Sequence, residues 1–149
     1  MNILSEAISN QTLVAALLTW FIAQSLKIVT TVIKSKKFDL KLFLSAGGLV
    51  SSHSATTCAL TTSIGLNYGF NSPLFAISAI LTGVVISDAR GIRRAAGKQA
   101  EVLNKIIEEL YEKRELKIER LKEFLGHTAL EVFWGIILGI LIAVLCYQI

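Results

Sequence analysis

Every lysine and arginine of this chain lies in one of two stretches, and apolar runs fill most of what separates them. Lys27, Lys34, Lys36, Lys37 and Lys41 form the first stretch. Arg90, Arg93, Arg94, Lys98, Lys105, Lys113, Arg114, Lys117, Arg120 and Lys122 form the second and complete the count of 15. The apolar residues come in four blocks: 12–33, interrupted by Gln24 and Lys27; 55–70; 74–86; and 130–147. A membrane-crossing helix needs roughly 17–25 residues. The first and fourth blocks meet that length, and the second and third reach it with their flanking polar turns. These features predict an all-α, polytopic transmembrane helix bundle of about four spans.

Charge then sets orientation. With four spans, the segments after spans one and three share a side, and they hold all the positive charge. The positive-inside rule makes that side cytoplasmic and places both termini outside. The 67–73 connection carries no lysine or arginine, as this topology requires. The net charge of +4 and the isoelectric point near 9.2 therefore report orientation in a membrane. Nucleic acid is not an expected partner, because the basic residues are not interleaved with aromatics. Composition agrees: mean hydropathy is +0.60, and charged residues make up 17%, against about 25% in soluble domains. A secretory signal is not expected of the first block, which lacks a basic region before it and a small-residue cleavage site after it. At 149 residues, the chain has the length of one domain, read here as 1–149 and membrane-embedded.

Asn71, Ser72 and Pro73 predict a turn between spans two and three. Gly47 and Gly48 break the chain ahead of span two. Residues 89–120 form the long polar segment, in which Val102, Leu103, Ile106, Ile107 and Leu110 recur at helical spacing against Glu101, Lys105, Glu108, Glu109 and Glu112. An amphipathic helix at the cytoplasmic membrane surface, or against the bundle, is expected there. Cys58 and Cys146 lie inside apolar blocks and read as small buried hydrophobes.

The two histidines stand apart from this plan. His53 follows Gly47-Gly48-Leu49-Val50-Ser51-Ser52, just before span two. His127 opens Gly126-His127-Thr128-Ala129-Leu130-Glu131, at the start of span four. Span three ends in Ser87-Asp88-Ala89-Arg90-Gly91-Ile92-Arg93-Arg94. The predicted topology brings all three segments to the cytoplasmic face. His127 and Glu131 are four apart, one turn along one helix face. A carboxylate there can hold one ring nitrogen's proton and leave the other nitrogen nucleophilic. A protonated His53 can serve as general acid to a leaving oxygen. Lys27 and Lys34, seven apart, share a helix face, and with Arg90, Arg93, Arg94 and Lys98 they can surround a phosphoryl group. Ser51 and Ser52 lead into a helix whose free amides favour an anion, and Asp88 lies among the same groups.

Blander roles compete with each of these. Lys27 could snorkel to the interface. The arginines could anchor on anionic headgroups. Asp88 could simply pair with an arginine or Lys98, and the serine hydroxyls could simply cap a helix. His53, His127, Glu131 and Asp88 have metal-ligand chemistry but no HExxH or CxxC spacing, so no metal and no other cofactor is expected.

In their order and setting, the Ser51-Ser52-His53 segment, the Asp88-Ala89-Arg90-Gly91-Ile92-Arg93-Arg94-Ala95-Ala96-Gly97-Lys98 segment and Gly126-His127-Thr128-Ala129-Leu130-Glu131 resemble the divergent bacterial and plastid branch of the phosphatidic acid phosphatase type 2 and vanadium haloperoxidase superfamily. The resemblance spans nearly the whole chain. It implies a nucleophilic His127 that forms a phosphohistidine, a Glu131 that orients it, and a general acid at His53. Lys27 and Lys34 match the spacing of the superfamily's first motif. The pattern also departs: Val50 stands for a proline, Ser52 for a glycine, Lys34 for an arginine, and Leu121 for the arginine six before the histidine. Ordinary members have about six helices. The expected function is thus a phosphatase, in a bacterial cell membrane, that cleaves a lipid phosphomonoester or pyrophosphate at a cytoplasm-facing site. The alternative is a non-catalytic protein that binds anionic headgroups or phosphate, as carrier or regulator. A haloperoxidase stands third, because those relatives are soluble and much larger. A homodimer packed through Gly65, Gly83, Gly135 or Gly139 is a further expectation.

Overall fold

The computed structural model describes residues 2–35, 49–111 and 128–148; the side chains of 34, 35, 90, 92–95 and 109–111 lie outside that description. The described residues hold six helices and no strand: α1 (Ile3–Ser9), α2 (Gln11–Ser35), α3 (Ser52–Tyr68), α4 (Pro73–Arg90), α5 (Ile92–Tyr111) and α6 (Ala129–Tyr147). Gln11–Ile33 and Ala129–Tyr147 are long and apolar enough to cross a membrane, and Pro73–Ala89 is a shorter apolar helix. The four-span expectation thus meets two helices that pass on length and composition.

The fourth element of that expectation is α3, and it is the centre of the bundle, packed by α2, α4 and α6. Its sequence is rich in serine and threonine, which lowers its hydropathy. Several of the hydroxyls are satisfied within the helix: Thr56 Oγ1 donates to the Ser52 carbonyl at 2.8 Å and Thr57 Oγ1 to that of His53 at 3.0 Å. Such back-bonding lets a polar helix sit among apolar ones without orphaned hydroxyls.

Helix ends follow from local chemistry. Ser51 caps α3, and its side chain accepts the Ser54 amide at 3.4 Å. Ser72 caps α4 and accepts the Phe75 amide at 3.2 Å, with Pro73 in the first turn where its missing amide costs nothing. The expected turn at Asn71–Pro73 therefore forms as read. It begins at Gly69, whose φ of 87° suits a residue without a β-carbon.

The bundle is polar inside and apolar outside. The largest fully buried side chains are Thr19, Ser51 and Ser54. Along α2 the buried residues are Thr12, Ala15, Ala16, Thr19, Ala23, Gln24 and Lys27, spaced as one helix face. Leu13, Leu17, Phe21, Ile77, Ile80, Val84, Phe133 and Leu141 lie exposed. In water this distribution would leave apolar surface far beyond the few hundred Å² that a soluble monomer tolerates. In a bilayer it is the expected one, since helices there associate through small residues and hydrogen bonds.

Gly135 and Gly139 supply the closest packing. A β-carbon at Gly135 would stand 2.6 Å from the Ser51 carbonyl oxygen, and one at Gly139 would run into the Ala55 carbonyl and come within 2.9 Å of the Ala59 amide. Both glycines are thus used inside the chain, to seat α6 on α3. Gly65 is likewise occupied, by the Phe70 ring. Of the four glycines suggested for a dimer, Gly83 alone faces open space.

Beyond α4, helix α5 exposes Val102, Leu103 and Ile106. The expected amphipathic helix is present and ends at Tyr111 in the described residues. Its Lys105 ammonium donates to Glu101 at 2.9 Å. That hydrogen bond, then the charge of Lys105, holds the Glu101 carboxyl below its ordinary value.

Candidate functional site

Register along the helices locates the candidate residues. Helices α2 and α3 run antiparallel, with Ser63 Oγ donating to Thr12 Oγ1 at 3.4 Å and Ala23 sharing a buried cluster with Val50 and Ala55. Lys27 is one turn past Ala23, about 6 Å along the axis, and so stands level with the residues that open α3. Helices α3 and α4 are antiparallel through Thr61 and Thr82, whose hydroxyls are 2.8 Å apart, and Thr82 Oγ1 also donates to the Thr57 carbonyl at 3.1 Å. Asp88, less than two turns past Thr82, again falls level with the start of α3. Helices α3 and α6 run parallel, fixed where the Ser51 amide donates to the Glu131 carbonyl at 2.9 Å.

One end of the bundle therefore gathers Lys27, the Ser51-Ser52-His53 segment, Asp88 and the first turn of α6. Lys34 continues α2 beyond Lys27 at this end, and Arg90, Arg93 and Arg94 occupy the α4–α5 junction. The side chains of these four lie outside the described residues, as does the whole of His127. Thr128, its neighbour, caps α6.

The described members differ in burial. His53, in the first turn of α3, is exposed; Ser52 and Asp88 are half-buried; Lys98, on α5, is exposed. Ser51 is fully buried, and its hydroxyl accepts both the amide and the hydroxyl of Ser54. Capping is the role its side chain displays. Lys27 is only 6% exposed, and no counter-ion faces it among the described residues. A buried ammonium without a partner is costly to maintain.

Glu131 completes the cap of α6. Its Oε2 accepts the Thr128 amide at 2.9 Å, and the Thr128 hydroxyl accepts the Glu131 amide at 3.3 Å, a complete capping box. The capping box itself was written in the sequence as Thr128-x-x-Glu131 ahead of an apolar run, a signal the reading above passed over.

Gln24 is the residue that sequence reasoning missed. It is 7% exposed, and its Oε1 has no hydrogen-bond partner among the described residues. It sits one turn before Lys27 on the same buried face. A polar side chain inside an apolar block is a candidate functional residue on that ground alone. No group of three or more metal-ligating side chains occurs among the described residues.

An all-helical bundle, apolar on its outside and carrying helices long and apolar enough to cross a bilayer, defines a membrane-type protein. The family model described as the Divergent PAP2 family matches residues 8–142, and the chain belongs to that family. It is also 40% identical over 154 residues to the uncharacterized membrane protein YuiD of Bacillus subtilis (strain 168), covering 95% of this chain and 98% of that one. No solved structure matches.

Proposed function

We propose that the protein is an integral membrane phosphatase that hydrolyses a lipid phosphomonoester or pyrophosphate from the cytoplasmic face. The observation that supports this reading most is the burial of Lys27 level with the Ser51-Ser52-His53 segment, at the end of the bundle where Asp88 and Glu131 also lie. A cation withdrawn from water beside a helix N-terminus suits a bound phosphoryl group. In the proposed reaction His127 attacks phosphorus, the bond to the leaving oxygen breaks, and His53 gives that oxygen a proton. Glu131 orients His127. Water, giving a proton to His53, then attacks the phosphohistidine and breaks its P–N bond, releasing inorganic phosphate and restoring both imidazoles. Lys27, Lys34, Arg90, Arg93, Arg94 and Lys98 hold the phosphoryl charge. Four spans, α2, α3, α4 and α6, carry this site, with α5 on the cytoplasmic surface.

The test is release of inorganic phosphate from lipid monophosphates and diphosphates by the purified protein in nanodiscs. His127→Ala should abolish it, and phosphate release retained in that variant removes the proposal. A headgroup carrier would release none in any form while still binding phosphate.

A further inference from the structure

An apolar groove of about 410 Å³ opens between α2 and α6. Leu26 of α2 and Leu49 and Val50 ahead of α3 line one end of it. Trp134, Ile137, Leu138 and Leu141, a single stripe along α6, form its length. That stripe covers roughly 10 Å at the helical rise. Its position is informative. Leu26 is the neighbour of Lys27, Val50 is the neighbour of the capping Ser51, and Trp134 lies in the turn after Glu131. From there the groove runs towards Leu141, away from the polar end and along the apolar outer surface of the bundle. A charged seat and an apolar channel thus share a boundary, and a molecule that fills both carries an anionic head on a single hydrocarbon chain.

We infer that this groove seats the head-proximal part of one hydrocarbon chain of the lipid phosphate, so that the protein selects substrates by chain length up to the groove's reach and is indifferent beyond it. The inference rests on the phosphatase reading for its head group, but its geometry can be tested apart from catalysis.

Two measurements do so. In the first, butyl, decyl and hexadecyl phosphate are compared as substrates. Catalytic efficiency should rise at least about tenfold from butyl to decyl, as burial of several methylenes predicts, and change little from decyl to hexadecyl. The paired variant Ile137→Phe with Leu141→Phe, at two exposed positions, should reduce the decyl-to-butyl ratio. In the second, Trp20→Phe leaves Trp134 as the sole tryptophan, since the chain has 2. Its fluorescence in nanodiscs should be quenched several-fold more by a brominated-chain lipid phosphate than by brominated phosphatidylcholine at equal mole fraction. If no alkyl phosphate is hydrolysed, the phosphomonoester form of the phosphatase reading fails and the quenching alone decides the groove. Equal quenching by the two lipids, meaning bulk lipid fills the groove, or quenching by neither, meaning another helix covers it, overturns the inference.

Discussion

The Ser51 amide and the Glu131 carbonyl, 2.9 Å apart, tie the cap of α3 to the first turn of α6. The residue two past Ser51 is His53, and the residue four before Glu131 is His127. The joint therefore fixes the start of α3, which carries His53, against the first turn of α6 through backbone alone. No side chain of the proposed chemistry is needed to maintain it.

The glycines beneath this joint should be intolerant. Gly139→Ala places a β-carbon against the Ala55 carbonyl and Gly135→Ala places one 2.6 Å from that of Ser51. Backbone on both sides leaves little room to yield, and overpacking of this kind costs about 1–3 kcal/mol. Gly83→Ala meets nothing within 4 Å and should be neutral or stabilising, because alanine is the better helix former. Thermal unfolding in detergent should separate the first two from the third; equal melting temperatures for all three would contradict the packing described.

Glu131 invites a separation of its two tasks. Glu131→Gln keeps an oxygen for the Thr128 amide, so stability should be near wild type, while the loss of charge should lower phosphate release by at least an order of magnitude. Glu131→Ala should lose both, with about 1 kcal/mol of stability following the cap. If Glu131→Gln retains full turnover, the residue is a cap and nothing more.

Lys27→Met preserves length and apolar volume. Replacing a buried charge by an apolar side chain of similar size is often neutral or stabilising, so the melting temperature should hold or rise. Affinity for inorganic phosphate, read by calorimetry, should fall at least about tenfold. Unchanged affinity would place the anion elsewhere.

Gln24→Met removes the orphaned Oε1 acceptor. An unsatisfied buried polar group costs about 1–3 kcal/mol, so this variant should melt higher. Where the amide serves the ligand, turnover should fall in the same variant. A rise in stability with turnover untouched would make Gln24 a tolerated defect.

The four-span topology can be read by labelling. In a background with Cys58→Ala and Cys146→Ala, an impermeant maleimide should label the Asn71→Cys variant in intact cells and reach the Lys98→Cys variant only after permeabilisation. The reverse pattern would turn the site outward.

Much of this was legible in advance for a physical reason. Apolar blocks and charge asymmetry are signals of solvent preference, and solvent preference is what a lipid-exposed surface reports; α2, α4 and α6 fall where those blocks are. The capped turn at Ser72 and Pro73 was legible because proline and serine act locally. What the sequence withheld depends on neighbours. Residue 55 begins an apolar block, yet α3 begins at Ser52, because hydroxyls can belong to a helix when its own carbonyls accept them. Gly135 and Gly139 look like a surface for a second copy until α3 is seen against them. Gln24 and Lys27 read as interruptions of a span and turn out to share its buried face. The short α1 carried no signal that the reading used. For His127, the roles stated here rest on its place in the sequence beside Thr128 and Glu131.

The hydroxyl-rich character of α3 bears on how the chain is made. In the four-span reading, the helix against which the other three spans pack is also the poorest of the four at entering lipid by itself. Its firmest seat, the paired glycines of α6, is synthesised after the other three spans. Assembly would then stay unfinished until residues 129–147 have been made, so a chain cut short before residue 129 would forfeit the middle of the bundle along with α6.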